Sequence, residues 1–172
     1  MQMTMTDPIS MLKEDHQKVK GLFQRFEMAD EKEKGELFKE IFKELEIHTK
    51  LEEEIFYPAM REVESEMIAE AYEEHNIVDF ILGGMKKVKP SDESYEAKFM
   101  TLKENVEHHI QEEEGELFPK AEQSLSGRLE ELGREMWEQK EKLMRGGSSR
   151  SRSSSSRSRS TSGSRSGSKS RS

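Results

Sequence analysis

Six polar residues interrupt the apolar stripes of this chain at positions where an amphipathic helix buries its side chains. In four segments, apolar residues recur every three or four positions, which is the spacing of one face of an α-helix. The first and third stripes each contain one histidine, and the second and fourth each contain a histidine followed four residues later by a glutamate. The six residues are His16, His48, Glu52, His75, His109 and Glu113. We therefore expect helices that turn four imidazoles and two carboxylates into their core.

Start and stop signals place the helices along the chain. Asp7 and Pro8 begin the first helix, because an aspartate side chain caps free backbone N–H groups and proline loses no hydrogen bond in the first turn. Pro58 is expected to kink or end the second helix, and Pro119 to bend or end the fourth. The stretch of residues 90–93 separates the third helix from the fourth.

The architecture that these signals predict is all-α. No run rich in β-branched residues alternates with period two, so no strand is expected. Four long helices with short connections predict an up-down-up-down four-helix bundle, and a further apolar stripe predicts a fifth, C-terminal helix over residues 125–144. We assign residues 1–145 to this bundle. Residues 146–172 are expected to form a disordered Ser/Arg-rich basic tail, because they include no apolar residue to bury.

Charge divides the chain at the same place. The full sequence has 28 Lys and Arg against 36 Asp and Glu, a formal net charge of −8. The tail holds seven basic residues and no acidic one, which leaves −15 for residues 1–145. An acidic body should repel nucleic acid and anionic membranes, so contact with nucleic acid or a partner protein is expected only through the tail. The absence of cysteine excludes disulfides, thiolate metal sites and cysteine nucleophiles.

The predicted buried carboxylates indicate a metal site. An ionised glutamate is very costly to bury without a partner, and buried ion networks seldom stabilise a protein more than apolar packing does. Histidine and glutamate four residues apart lie one turn apart on the same helix face, so both can reach one metal centre. Imidazole combined with carboxylate suits iron, manganese or zinc.

The arrangement occurs twice. His48 and His109 each begin the same pattern, with glutamates at +4 and +5, an aromatic residue at +9 and proline at +10. An acidic residue and a histidine, Asp15-His16 and Glu74-His75, precede the two patterns by 32 and 34 residues, counted between the histidines. Each half is thus a helical hairpin with three candidate ligands. Two such halves, related by a pseudo-two-fold axis, predict two metals bridged by two carboxylates.

These motifs together resemble the hemerythrin-like family, also called HHE cation-binding domains, over nearly all of residues 8–122. The resemblance implies a non-heme di-iron centre with two iron ions, for which manganese or zinc can substitute. In that centre Glu52 and Glu113 would be bridging carboxylates, and the four inward histidines would be terminal ligands. Activities implied by the family are reversible dioxygen binding, sensing of oxygen, nitric oxide or iron, and in some members peroxide chemistry or repair of iron centres.

The chain departs from the oxygen-carrier pattern in its third helix. Carriers have two histidines there, and alignment on the Gly83–Gly84 pair puts His75 on the second and Ala71 on the first. One iron would then lack a histidine unless Asp79, Tyr72 or a nearby glutamate replaces it. This difference favours a sensor or a reactive centre over stable oxygen carriage.

Two further positions stay open in the sequence. Carriers space the last carboxylate one residue further from its histidine, so Glu114 competes with Glu113 as a ligand. His108 lies about 100° from the stripe on a helix of 3.6 residues per turn, so we expect it near the site or on the surface.

The residues favour a metal- and oxygen-binding protein over an enzyme. The first hypothesis is a di-iron protein that binds or senses dioxygen or nitric oxide, and the second is a di-iron enzyme that turns over peroxide or oxidises ferrous iron. A third places RNA or partner binding in the tail, which resembles eukaryotic arginine–serine tracts. No segment has the length and apolarity of a signal or membrane span, so a cytoplasmic location is expected, or a nuclear one in a eukaryote. The oligomeric state is open.

Overall fold

The structure, a computed structural model, describes residues 7–146. Seven α-helices and two single turns of π-helix account for almost all of this range, and no strand occurs within it. The α-helices are α1 Pro8–Glu27, α2 Glu31–Leu51, α3 Tyr57–Met60, α4 Ser65–Lys86, α5 Glu93–Glu112, α6 Phe118–Ser124 and α7 Leu129–Arg145. The π turns are Glu52–Phe56, which joins α2 to α3, and Glu113–Leu117, which joins α5 to α6.

Side-chain caps begin three of the four long helices. Asp7 accepts hydrogen bonds from the backbone N–H groups of Ile9 and Ser10 at the start of α1. Asp30 forms a reciprocal capping box with Glu33 at the start of α2, and Asp92 caps α5. Each aspartate stabilises its helix because the first N–H groups of a helix have no partner within it.

The long helices pair into two hairpins, α1 with α2 and α4 with α5, and these pack into one bundle. The predicted all-α bundle is therefore confirmed. Its core forms two apolar clusters. One lies towards the π turns and includes Leu12, Leu51, Phe56, Met60, Ile68 and Phe118. The other lies towards the opposite end and includes Phe23, Phe26, Ile41, Leu82, Phe99 and Leu102.

Of the two outcomes expected at each proline, a bend or a helix end, the structure excludes the helix end. The chain continues through Pro58 into α3 and through Pro119 into α6, because each proline follows a π turn and occupies the first turn of a new α-helical segment. In the wider turn the N–H of Tyr57 donates to the carbonyl of Glu52. The carbonyl of Glu53, which Pro58 cannot bond, accepts instead from the Tyr72 hydroxyl at 3.2 Å. Such π turns are rare and occur frequently at functional sites.

The fifth predicted helix is α7, and it packs on the bundle. It begins at Leu129 rather than Leu125, because residues 125–128 form a turn after α6. It contacts α1, α2 and the first π turn, and its buried Leu132 and Met136 belong to the cluster near the π turns. None of the helices in the described range is long and apolar enough to cross a membrane. The tail assignment falls mainly on residues 147–172, which lie outside the described residues, so it stays a prediction.

Shortening Met136 should destabilise the fold. Its side chain is fully buried, so Met136→Ala is expected to lower the free energy of unfolding by about 2–5 kcal/mol through lost contacts and a residual cavity. Met144→Ala is the matched control, because Met144 is 52% exposed and should change the stability by less than about 0.5 kcal/mol. Urea denaturation followed by circular dichroism measures both, and equal effects would mean that α7 is not part of the core.

Candidate metal centre

Each long helix of the bundle places one histidine between the two apolar clusters. His16 comes from α1, His48 from α2, His75 from α4 and His109 from α5. Glu52 and Glu113 begin the two π turns and lie among the histidines. The structure therefore brings together all six residues that the sequence singled out, each at most 6% exposed. Their role as metal ligands stays a prediction.

One half of the site gathers four donor atoms around a common point. The Nε2 atom of His16 lies 3.1 Å from Oε2 of Glu113, and the Nε2 atom of His48 lies 2.9 Å from Oε1 of Glu52. All four atoms are buried, yet none has a hydrogen bond of acceptable geometry. Buried polar atoms are almost always paired, so four orphans within 4.8 Å of one another fit a cation that would coordinate them.

The other half gathers the second oxygens of the same glutamates. Oε2 of Glu52 lies 3.1 Å from Nε2 of His75, and Oε1 of Glu113 lies 3.2 Å from Nε2 of His109. The two imidazole Nε2 atoms are 3.1 Å apart. Each carboxylate thus offers one oxygen to each half, which is the arrangement of a bridging ligand between two metals.

Tyr57 distinguishes the two halves. Its hydroxyl donates to Oε1 of Glu113 at 2.6 Å and lies 3.2 Å from Oε2 of Glu52 and from the Nε2 atoms of both His75 and His109. Phe118 holds the equivalent position in the repeat, where its ring stacks on His16 with centroids 5.7 Å apart. A phenyl ring has no hydroxyl to offer, which explains why the unpaired atoms all lie on the His16 side.

The outward nitrogens of the four histidines contact carboxylates. The Nδ1 atoms of His48 and His109 pair with Asp15 and Glu74, the acidic residues of their own hairpins. The remaining two pairs cross between the hairpins: His16 with Glu114 at 2.8 Å and His75 with Glu53 at 2.9 Å. A carboxylate that accepts from Nδ1–H fixes the tautomer with a free Nε2 lone pair, and such pairs are typical of metal-bound histidines.

Helix α7 reaches the site on one side. Lys140 donates to Oδ1 of Asp15, whose other oxygen lies 3.2 Å from Nδ1 of His48. Gln139 also donates to Glu54 in the first π turn, at 2.9 Å. The sequence repeat contains no counterpart of α7, so these contacts could not be found from it.

Protonated imidazoles balance the negative charge of the buried carboxylates. Burial alone would lower the pKa of His48, but the Glu52 carboxylate and the hydrogen bond with Asp15 raise it to about 10. Burial raises the pKa of Glu52, and the surrounding histidines more than reverse this, so its pKa lies well below the usual value. Burial and the two carboxylates hold the pKa of the Tyr57 hydroxyl well above its usual value. Bound metal would take over the neutralising role of the protons.

Two cavities border the site. A cleft of about 20 Å³ adjoins all four histidines and is otherwise lined mainly by aliphatic side chains, those of Val19, Leu45, Val78, Val106 and Ile110. A larger cavity of about 180 Å³ reaches His109 and Glu113 from the other side, between α4 and the second π turn. Besides Glu113, its lining includes Ala71 and four further glutamates: Glu70, Glu74, Glu112 and Glu116.

The positions left open by the sequence take different roles. Glu113 lies in the site, and Glu114 contacts the outer nitrogen of His16. Asp79 is exposed on α4 and is not part of either ligand set. Tyr72 bonds the Glu53 backbone rather than entering the site. The side chain of His108 is 63% exposed.

Comparison with known proteins points to the same kind of site. The family model for the hemerythrin HHE cation-binding domain matches residues 7–121. The crystal structure of a hemerythrin HHE cation-binding domain-containing protein from Mycobacterium kansasii is 31% identical, with a TM-score of 0.72 over 80% of this chain and 86% of that one. A protein from Nostoc sp. described as a DNA nickase is 32% identical over 126 residues, which are 72% of this chain and 35% of that relative. The chain thus spans about a third of the relative's length. The family match and the His/Glu groups together indicate metal binding.

The stability of the metal-free protein and the additional stability from bound metal should depend on pH in opposite ways. In the metal-free protein, the raised pKa of His48 contributes stability that is complete below its ordinary value of 6.5 and is lost as the pH rises through about 10. The lowered pKa of Glu52 contributes stability present above its ordinary 4.5 and lost as the pH falls further. Metal competes with protons for imidazole, so the stabilisation by metal should increase with pH.

Thermal unfolding from pH 5 to pH 9, with and without added metal, measures this dependence. We expect the metal-free protein to be most stable below about pH 6.5 and to lose stability towards alkaline pH, while the increment from metal grows. A metal increment that shrinks as the pH rises would contradict coordination by these imidazoles.

Proposed function

The chain belongs to the hemerythrin HHE cation-binding family, and from this premise we propose that it is a non-heme di-iron protein that binds or senses dioxygen or nitric oxide. The observation that carries the proposal is the small aliphatic cleft that adjoins all four inward histidines. The cleft adjoins the two sets of buried donor atoms, which suit a pair of metal ions.

The residues divide into two ligand sets with two shared members. His16 and His48 would hold one iron, and His75 and His109 the other, with Glu52 and Glu113 offering one oxygen to each. When bound, a pair of ferrous ions supplies the electrons with which a diatomic ligand is held. The outer carboxylates on the Nδ1 atoms keep the imidazoles aimed inward and raise their basicity.

The cleft selects by size and polarity. Its volume of about 20 Å³ is close to the smallest space that holds one water molecule. Apart from the imidazoles, it offers few hydrogen-bonding groups, because most of its wall is valine, leucine and isoleucine. A small apolar diatomic molecule fits such a space better than water or a polar substrate does.

A sensing role is favoured over oxygen carriage. The second half of the site has two histidines, with Ala71 where carriers have a third, and the Tyr57 hydroxyl lies among its donor atoms. That hydroxyl keeps a proton next to Glu113, since burial and both carboxylates raise its pKa. Both half-sites have two imidazoles, but only this one has an extra hydrogen-bond donor. This asymmetry suits a response to ligand more than symmetric storage.

DNA cleavage is not part of this proposal. The match to this chain covers only 35% of the Nostoc protein described as a nickase, which is therefore almost three times as long as the matched region. The first 145 residues here carry a net charge of −15, from −8 for the chain and seven basic residues in the tail, and acidic surfaces repel phosphate backbones.

Metal content tests the ligand assignment. Protein purified without added metal should contain close to two irons per chain, and the double variant His48→Ala/His109→Ala should lose them, because it removes one imidazole from each ligand set. Lys39→Ala, on an exposed part of α2, is the control and should keep both. Elemental analysis with circular dichroism distinguishes loss of metal from loss of fold. Unchanged iron in a folded double variant would refute the assignment.

Filling the cleft tests the choice of ligand. Val106→Leu adds a methylene group to the wall and should slow dioxygen binding by about tenfold or more, while both irons remain bound, because a volume of about one water molecule tolerates no such addition. Val88→Leu makes the same change in a partly buried position away from the cleft and should leave the rate unchanged. Stopped-flow absorption of the anaerobic ferrous protein mixed with dioxygen gives both rates, and equal rates would argue against entry through the cleft.

A further inference from the structure

The outer faces of the two hairpins differ, although their inner faces repeat. Ile47 and Leu51 on α2 are buried in the same apolar cluster as Met136 of α7. The residues at the corresponding positions of α5 are His108, which is exposed, and Glu112, which is half-buried. One hairpin is thus covered by α7 at this level, and the other presents an imidazole and a carboxylate to solvent.

Asp15 and Glu74, which pair with the outer nitrogens of His48 and His109, also differ in their surroundings between the two hairpins. The outer oxygen of Asp15 contacts the ammonium group of Lys140. Glu74 is its counterpart in the repeat, and its Oε1 atom lies 3.7 Å from Nε2 of His108, which in turn lies 3.1 Å from Oε1 of Glu112. Within residues 7–146, no Lys or Arg nitrogen lies within 4.0 Å of either glutamate. In the α1–α2 hairpin, the ammonium group of Lys140 pairs with the outer carboxylate. In the α4–α5 hairpin, the corresponding donor atoms converge without a lysine or arginine from the described range beside them.

This outer group opens onto the candidate metal centre. Glu74 and Glu112 line the cavity of about 180 Å³ whose inner wall contains His109 and Glu113. Glu70 and Glu116 add two more carboxylates to the same cavity. Charges of one sign that line a cleft concentrate the opposite ion there and raise its rate of entry. Ala71 also lines the cavity, so its small side chain keeps the passage wide.

We propose that Glu74, His108 and Glu112 form an outer site for a divalent transition-metal ion, from which the ion passes through this cavity to the buried centre. One imidazole and two carboxylates, with donor atoms within 4.8 Å of one another, suit Fe²⁺, Mn²⁺ or Zn²⁺. The transfer role rests on the proposed function, because it requires a centre that binds metal.

Glu74 connects the two sites. Its Oε2 atom accepts from Nδ1 of the predicted ligand His109, while its Oε1 atom faces the outer group. An ion held by His108 and Glu112 is therefore one carboxylate away from the buried half-site. Exposure of His108 and the small number of protein ligands make the outer site weak and exchangeable, as transfer requires.

Zinc binding and iron uptake by the full-length protein test the proposal. Equilibrium dialysis of metal-free protein against Zn²⁺ should reveal two tight equivalents and one weaker one. His108→Ala and Glu112→Gln should each lose the weaker equivalent and keep the other two. Stopped-flow uptake of Fe²⁺ under anaerobic conditions should slow by roughly tenfold in both variants at low ionic strength. High salt should reduce the difference for Glu112→Gln, because that variant removes a negative charge. Glu40→Gln, an exposed glutamate of α2, is the control with the same charge change and should match the original protein.

The outcomes separate this inference from the proposed function. Absence of a third equivalent, its persistence in both variants, or uptake at the original rate in both would overturn the outer site. The variant His48→Ala/His109→Ala should lose the tight equivalents and retain the weak one. If the unaltered protein lacks the tight equivalents, the proposed function fails and the transfer role fails with it, whereas a third equivalent sensitive to His108→Ala would still establish the outer binding group.

Discussion

The rest of this structure depends on two carboxylates that are buried side by side. Glu52 and Glu113 are at most 2% exposed, and each lies against imidazoles from both hairpins. Burial and repulsion from Glu52 raise the pKa of Glu113, yet His109 and His16 lower it overall. Positive charge from protons or metal is therefore required for the centre of the bundle to exist in this form. Each of the four long helices contributes one imidazole that can carry such a proton or bind such a metal.

The two π turns coincide with these buried carboxylates. Each begins at one of the central glutamates and ends just before an aromatic residue followed by proline. Consecutive residues of a helix point in different directions, so the two glutamates at the start of each turn face different targets. Glu52 points into the site while Glu53 reaches the outer nitrogen of His75, and the second hairpin repeats this division. Pro58 has no N–H to donate to the carbonyl of Glu53, so this carbonyl accepts a hydrogen bond from the Tyr72 hydroxyl instead.

The sequence was sufficient for the bundle and for the set of inward residues, because helical periodicity and burial are local properties of a stripe. His16 and Glu113 lie 97 residues apart, yet both could be identified from the stripes of their own helices. Contacts that depend on how helices meet could not be identified in this way. Lys140 reaches Asp15 from a helix outside the repeat, and the helical continuation past Pro58 follows from a hydrogen-bond register that proline alone does not specify.

Departures from the repeat make the two halves of the centre structurally different. Tyr57 and Phe118 are equivalent, but only the tyrosine places a hydroxyl among the inward donor atoms. Asp15 and Glu74 are equivalent, but only Asp15 meets a lysine from α7. A repeated hairpin by itself would give two identical half-sites, each equally accessible. Helix α7 covers one half of the centre, and its Lys140 supplies a positive charge there. The uncovered half keeps an acidic cavity that reaches the centre, so the proposed entry of ions and the proposed binding of small ligands would take place on different sides of the same site.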